Sequence, residues 1–166
     1  MSTVAERHGA RELVWDTLAK ASFAVLSYTT PRGEPRSSGV VYRLVDRKMY
    51  AAVAEDSWKA RHIAVNGDVA VTVPVRRGGL MALLLPIPPA TISFAATAIV
   101  HPAGALPPGP LAGELGPLLP PERRTSACLV EIVPRGHFVT YGVGVPLARM
   151  RVPALARARV PVAGRE

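Results

Sequence analysis

The chain has 166 residues, 49% of them hydrophobic, which suits one domain able to bury roughly two-thirds of its unfolded surface around its own core. Twenty basic residues against twelve acidic ones give a formal charge of +8. The arginines are scattered from Arg7 to Arg165 without a dense block or an aromatic interleave. This argues against a nucleic-acid partner and for a cleft that draws in an anionic small molecule. A single cysteine, Cys128, excludes an internal disulfide framework. The N-terminus lacks the apolar core of a signal peptide, and the longest apolar run, Leu80 to Leu85, is far below the roughly 20 residues a membrane span requires. A cytoplasmic protein with no membrane partner is expected.

In chain order, charged residues alternate with Leu13, Trp15, Thr17 and Leu18 over residues 5–20, predicting an N-terminal helix with Trp15 in the core. Phe23–Thr29 reads as a buried strand. Pro31-Arg32-Gly33-Glu34 is turn chemistry, with proline fixing φ and glycine free to take φ > 0. Ser37–Val45 and Met49–Val53 are rich in β-branched and aromatic residues and flank the polar turn Asp46-Arg47-Lys48, which makes a second hairpin. Glu55-Asp56-Ser57 offers helix N-caps, and Asn66-Gly67-Asp68 stops the short helix that follows. A strand over Val69–Val75 leads into the connection Arg76-Arg77-Gly78-Gly79.

Leu80–Pro89 is apolar but broken by three prolines. Exposed on a monomer it would be a liability, so a homodimer is expected. Ala90–Val100 alternates as a long strand. Residues 101–122 hold seven prolines and four glycines, marking an excursion in which only Leu111–Leu119 leaves room for a turn or two of helix. Cys128–Val133 and His137–Tyr141 read as two strands around the turn Pro134-Arg135-Gly136. The tail, residues 146–166, carries five arginines and is expected to wrap a neighbour. The whole of 1–166 reads as one domain.

The residues that point to chemistry lie after the second hairpin. Ser57 and Lys59 fall in the first turn of a helix, where free N–H groups and the positive end of the dipole already favour an anion, so they would form a phosphate pocket. His8, His62, His101 and His137 lack metal-ligand spacing. There is no G-x-S-x-G elbow, and Gly142-Val143-Gly144 lacks the rest of a dinucleotide fingerprint.

Taken in order, the strand, the Pro-Arg-Gly-Glu-Pro turn, the two further strands, Ser57-x-Lys59 with Arg61 two residues on, and Asn66-Gly67-Asp68 before a valine-rich strand resemble the FMN-binding split barrels. These are the pyridoxamine 5′-phosphate oxidase-like proteins, which use flavin or deazaflavin. The resemblance runs from about Phe23 to Val75 and resumes at Thr91–Val100 and Cys128–Tyr141.

It implies a mainly β, split β-barrel fold with flanking helices, a homodimer with interfacial sites, and an FMN-dependent oxidoreductase acting on a small organic substrate. It further implies that Ser38, Gly39, Val40 and Val41 face the flavin ring. Ala51, Ala52 and Val53 would contact the ring from the next strand, and Ser57, Trp58, Lys59 and Arg61 would surround the phosphate. Arg76 and Arg77 are the next candidates for an acidic group. The chain departs from pyridoxamine phosphate oxidases proper, having Trp58-Lys59 in place of arginine-lysine and Val-Pro-Val-Ala-Gly-Arg-Glu in place of an Arg-Leu-x-Pro ending. That argues against the vitamin B6 reaction and leaves two alternatives: a deazaflavin reductase, or a non-enzymatic flavin or haem carrier.

Overall fold

The structure is a computed structural model that describes residues 4–76, 89–106 and 110–163. Six antiparallel strands close on themselves: β1 (Phe23–Thr29), β2 (Pro35–Val45), β3 (Lys48–Ala54), β4 (Asp68–Val75), β5 (Ala90–Val100) and β6 (Ala127–Tyr141). They run in the order β3-β2-β1-β4-β5-β6, and β3 pairs with β6 to complete the barrel. Closure leaves the barrel strands without a free edge where these pairings run. A seventh strand, β7 (Arg157–Pro161), adds to the far half of β6.

Strand alternation fills the interior. Ala24 and Leu26, Val40 and Tyr42, Met49, Ala51 and Val53, and Val69, Val71 and Val73 of β4 are all buried in one cluster, as period-two side-chain placement requires. The tyrosine among them is anchored at both ends, its ring in the core and its hydroxyl donating to the Leu18 carbonyl at 2.7 Å. Burial pushes the Tyr42 pKa up.

Helix α1 (Val4–Lys20) seats Val14, Trp15 and Leu18 on the barrel. Leu13, expected on that face, is exposed instead, because the i, i+1, i+4 stripe begins one residue later. Trp15 meets Phe138 edge-on at 5.0 Å, and Phe138 meets Phe94 at 5.2 Å in the same manner.

Both expected hairpins form. In the first, Gly33 takes φ 81° and closes the loop through its N–H to the Thr30 carbonyl. In the second, Val45 pairs directly with Lys48, so the turn is the two residues Asp46 and Arg47, with φ of 49° and 61°. Positive φ at both positions matches the strand twist.

The C-terminal half corrects one expectation. β6 is one strand of 15 residues rather than two around a turn. Pro134 and Arg135 stay in the ladder with β5, whose register shifts between Ser93 and Ala95 to absorb the irregularity. Within the tail, residues Arg157–Pro161 pair with β6 of the same chain as β7.

The 101–122 excursion folds back as α3 (Pro110–Leu115) and two short 3-10 turns. Leu115 and Leu119 pack with Val45, Tyr50, Ala127 and Leu129 as a second core cluster on the outside of β3 and β6. Arg77 and Leu80–Pro88, on which the dimer expectation rested, lie outside the described residues.

Candidate cofactor site

Helix α2 (Trp58–Val65) begins where the sequence places it. Ser57 is the N-cap: its Oγ accepts the Ala60 N–H at 3.2 Å and donates to the Ala54 carbonyl at 2.7 Å. The hydroxyl expected to grip phosphate is therefore committed to the helix start. The cap satisfies one of the orphan donors of the first turn and leaves the N–H groups of Trp58 and Lys59 without an intrahelical acceptor.

Lys59 is half-buried and, among the described residues, has no ion pair or hydrogen bond. Burial lowers its pKa, as expected for an ammonium taken partly out of water with nothing opposite it. Trp58 next to it is 70% exposed, with the His62 ring 5.8 Å away and the Arg61 guanidinium 5.4 Å from its centroid.

Residues 59 and 61 are two apart on a helix and cannot face one ligand together. The buried Ala60 and Ile63 fix the inward face. Lys59 and His62, three apart, share one flank, while Arg61 lies toward the other flank beside Ala64. The expectation that Lys59 and Arg61 hold one phosphate is thus corrected by helical geometry.

On the Lys59 flank the His62 ring packs 6.0 Å from Tyr28 of β1. Its Nδ1 is buried without a hydrogen-bond partner, and so is Ser38 Oγ on β2. Buried polar atoms are normally paired, and these two are not. His62 and Tyr28 were missed by the sequence reading. The available signal was the i, i+3 spacing of His62 from Lys59.

The strand candidates divide by face. Val40, Ala51 and Val53 are at most 6% exposed and point into the barrel core, so only their main chain is open to a ligand. Ala52 faces the opposite way and packs against the second cluster. Gly39 and Val41 face outward: Val41 is 61% exposed, and the Phe23 ring lies so close to Gly39 that a Cβ there would stand 2.8 Å from it. Side chains 38–41 alternate across β2, and no single ring can meet all four. Arg76 lines a separate cavity of about 940 Å³ between the end of α1 and the end of β4, with Lys20 and Phe23.

Among the described residues no helix is long and apolar enough to cross a membrane, and no group of three or more His, Cys, Asp or Glu side chains could hold a metal ion.

No protein-family model matches the chain, and no curated protein is similar to it in sequence. Solved structures are similar in fold. An F420 reductase superposes with a TM-score of 0.54 at 15% identity, over 74% of this chain and 93% of that one. A candidate pyridoxamine 5′-phosphate oxidase from Listeria innocua gives 0.56 at 14% identity, over 75% and 93%. HutZ, the heme storage protein from Vibrio cholerae, gives 0.58 at 13% identity, over 86% and 97%. At such identities the likeness is one of architecture, and with the closed barrel it supports a single conclusion: the chain has the split β-barrel fold of these proteins.

Proposed function

We propose that this split barrel is a flavin-binding oxidoreductase that holds FMN at the start of α2 and acts on a small organic substrate. The observation that carries the reading is Lys59, a half-buried ammonium without a partner among the described residues, beside two backbone N–H groups that lack intrahelical acceptors. A phosphate supplies what that corner lacks, because charge-assisted bonds to backbone and ammonium donors are strong and the helix dipole adds to them. His62 Nδ1, on the same flank of α2 as Lys59, is a further polar atom without a partner among the described residues. The main chain of Gly39 and the exposed ring of Trp58 give a planar group a surface to lie against.

A bound flavin supplies the hydride chemistry itself, so the protein's task is binding, orientation and exclusion of water. Phe23 and Val41, paired across β1 and β2, are 46% and 61% exposed on the outward side of the sheet, and we place the face of a homodimer there, closing the site from above. The buried, unpaired thiol of Cys128 suits a reducing cytoplasm.

A second reading, a haem carrier, is favoured by His62, a single imidazole among aromatic neighbours with one ring nitrogen unpartnered. The absorption spectrum of freshly purified protein, with mass identification of the extracted ligand, decides between them. A flavin or deazaflavin spectrum supports the oxidoreductase reading, and a haem band that disappears in His62→Ala supports the carrier. Failure of FMN, a deazaflavin and haem all to bind on titration removes both readings.

A further inference from the structure

On the flank of α2 away from Lys59 lies a second concavity that the cofactor reading does not use. It encloses about 290 Å³ between α2 and the turn that follows β5, near the lower end of the size range of small-molecule pockets. Ala60, Ala64, Val100 and Cys128 contribute an apolar floor, with Ala60 and Cys128 at 3% and 2% exposure. Glu55 and Arg61 line the same space. These opposite charges are not paired with each other, and among the described residues neither forms an ion pair or a side-chain hydrogen bond. His101 also lines the cavity, but its Nε2 is held by Glu131 at 2.9 Å.

The Glu55 carboxylate acts on the floor as well. Glu55 and Cys128 line the same space, and the Cys128 thiol is pushed up in pKa by burial and, next, by the charge of Glu55. Arg61 presents a guanidinium whose planar fork suits a carboxylate. A small cavity with an exposed acid that has no cationic partner among the described residues, an exposed guanidinium that lies over the Trp58 ring but has no carboxylate partner there, and an apolar floor matches a molecule carrying both charges and a short hydrocarbon branch.

We propose that this cavity binds a small zwitterion, an α-amino acid with a short apolar side chain, whose ammonium meets Glu55, whose carboxylate meets Arg61, and whose side chain rests on Ala60, Ala64 and Cys128. The proposal does not require the FMN reading, since it uses the flank of the helix away from Lys59, and the contact of Arg61 with the Trp58 ring is the one point at which the two sites meet. Closing both charges on one ligand also explains why two residues of opposite sign line so small a space without meeting.

Cys128 is the chain's one cysteine and serves as the probe. The rate of its modification by iodoacetamide is measured in full-length protein with L-valine, with N-acetyl-L-valine, which lacks the ammonium, and with L-valinamide, which lacks the carboxylate. L-Valine is expected to slow the reaction saturably, with the two derivatives at least about tenfold weaker, since each forfeits one charge-assisted contact. Glu55→Gln and Arg61→Gln are each expected to weaken protection by valine about tenfold, while Lys59→Ala leaves it unchanged.

Because Glu55→Gln also lowers the thiol pKa, protection is read as the ratio of rates with and without ligand within each variant. If the buried thiol reacts too slowly to follow, the unfolding midpoint with the same three compounds is compared on the same criterion. Absence of saturable protection or stabilisation by L-valine at tens of millimolar, equal effects of all three compounds, or unchanged valine affinity in both charge variants overturns the proposal.

Discussion

The guanidinium of Arg47 stands 5.6 Å from the ring centroid of Trp15, and its terminal nitrogen donates to both carboxylate oxygens of Glu12 at 3.0 and 3.1 Å. One side chain at a hairpin tip thus ties β2 and β3 to helix α1. It does so from a residue with φ 61°, a conformation that costs a residue with a Cβ roughly 1–2 kcal/mol relative to glycine. Side chain and backbone therefore work against each other at one position.

Two substitutions separate them. Arg47→Ala keeps the backbone cost and loses a partly exposed cation–π contact and ion pair, together about 1 kcal/mol. Arg47→Gly loses the same contacts but relieves the left-handed strain, so its stability in urea should return close to wild type. Equal stability of Arg47→Ala and wild type would show that the tether contributes nothing.

Gly67 lies at the corner between α2 and β4, where its carbonyl accepts the Ala98 N–H at 2.8 Å. A Cβ on residue 67 would collide with the Ala98 carbonyl oxygen, a backbone atom with little freedom to yield. Gly67→Ala is expected to cost about 2 kcal/mol or more, in the range of overpacking. Gly9→Ala in α1, where a Cβ meets nothing within 4 Å, should instead gain up to about 1 kcal/mol from helix propensity. Thermal unfolding of the pair gives shifts of opposite sign if the geometry is as described.

Lys59 gives stability and binding opposite signs. Its pKa is lowered by burial, so the charged form is disfavoured by folding. That penalty is fully present below the folded pKa, fades as pH rises from there toward the ordinary lysine value of 10.5, and is gone above it. Lys59→Met should therefore leave the ligand-free protein as stable as wild type or more so at neutral pH. FMN affinity, read by flavin fluorescence at low salt, should fall about tenfold or more. Lys48→Ala, in the second hairpin, is the binding control. A mutant that binds FMN as tightly as wild type would move the phosphate away from α2.

Glu131 holds Lys48 at 2.7 Å and His101 at 2.9 Å, joining β3, β6 and the start of the excursion. Burial raises its pKa, but the hydrogen bonds from Lys48 and His101 outweigh burial and leave it below the usual 4.5. With the folded pKa depressed, the unfolded chain binds more protons between the two values. The contribution is thus present above about pH 4.5 and is lost as pH falls through the folded pKa. Glu131→Gln should cost about 1 kcal/mol near neutrality for a partly exposed network and narrow its gap from wild type in acid. A gap that does not change between pH 6 and pH 3 would count against this origin.

Local chemistry made much of the barrel readable. Gly33 and Asp46-Arg47 turn where turn-forming residues stand, and Ser57 and Asn66-Gly67 bracket α2, because caps and tight turns are set by neighbours in the chain. The continuity of β6 was not readable. Pro134 and Gly136 are turn residues by composition, and only the pairing of Pro134 with Ala96 of β5 and the hydrogen bond from the Val162 N–H to the Gly136 carbonyl keep them in a strand.

The excursion's role was hidden for the same reason. Leu115 and Leu119 in a proline-rich segment look like loop until Tyr50 and Leu129 offer them a surface. At the site, Ser57-x-Lys59 was legible as a helix start, whereas the split of strand residues 38–41 between core and exterior, and the orphaned atoms of Ser38 and His62, depend on how the barrel closes.

That closure has a kinetic side. The β3–β6 ladder joins residues 49–54 to 127–132, and the Lys48–Glu131 pair at its end spans 83 positions of sequence. The other barrel ladders link strands that lie closer along the chain, so this one carries the heaviest loop-closure entropy and favours slow folding. Until it forms, the outer edge of β3 is an open template for another chain. Refolding yield should accordingly fall with protein concentration, and substitutions in the 127–132 half of β6 should lower it more than equally destabilising ones in β1 or β4.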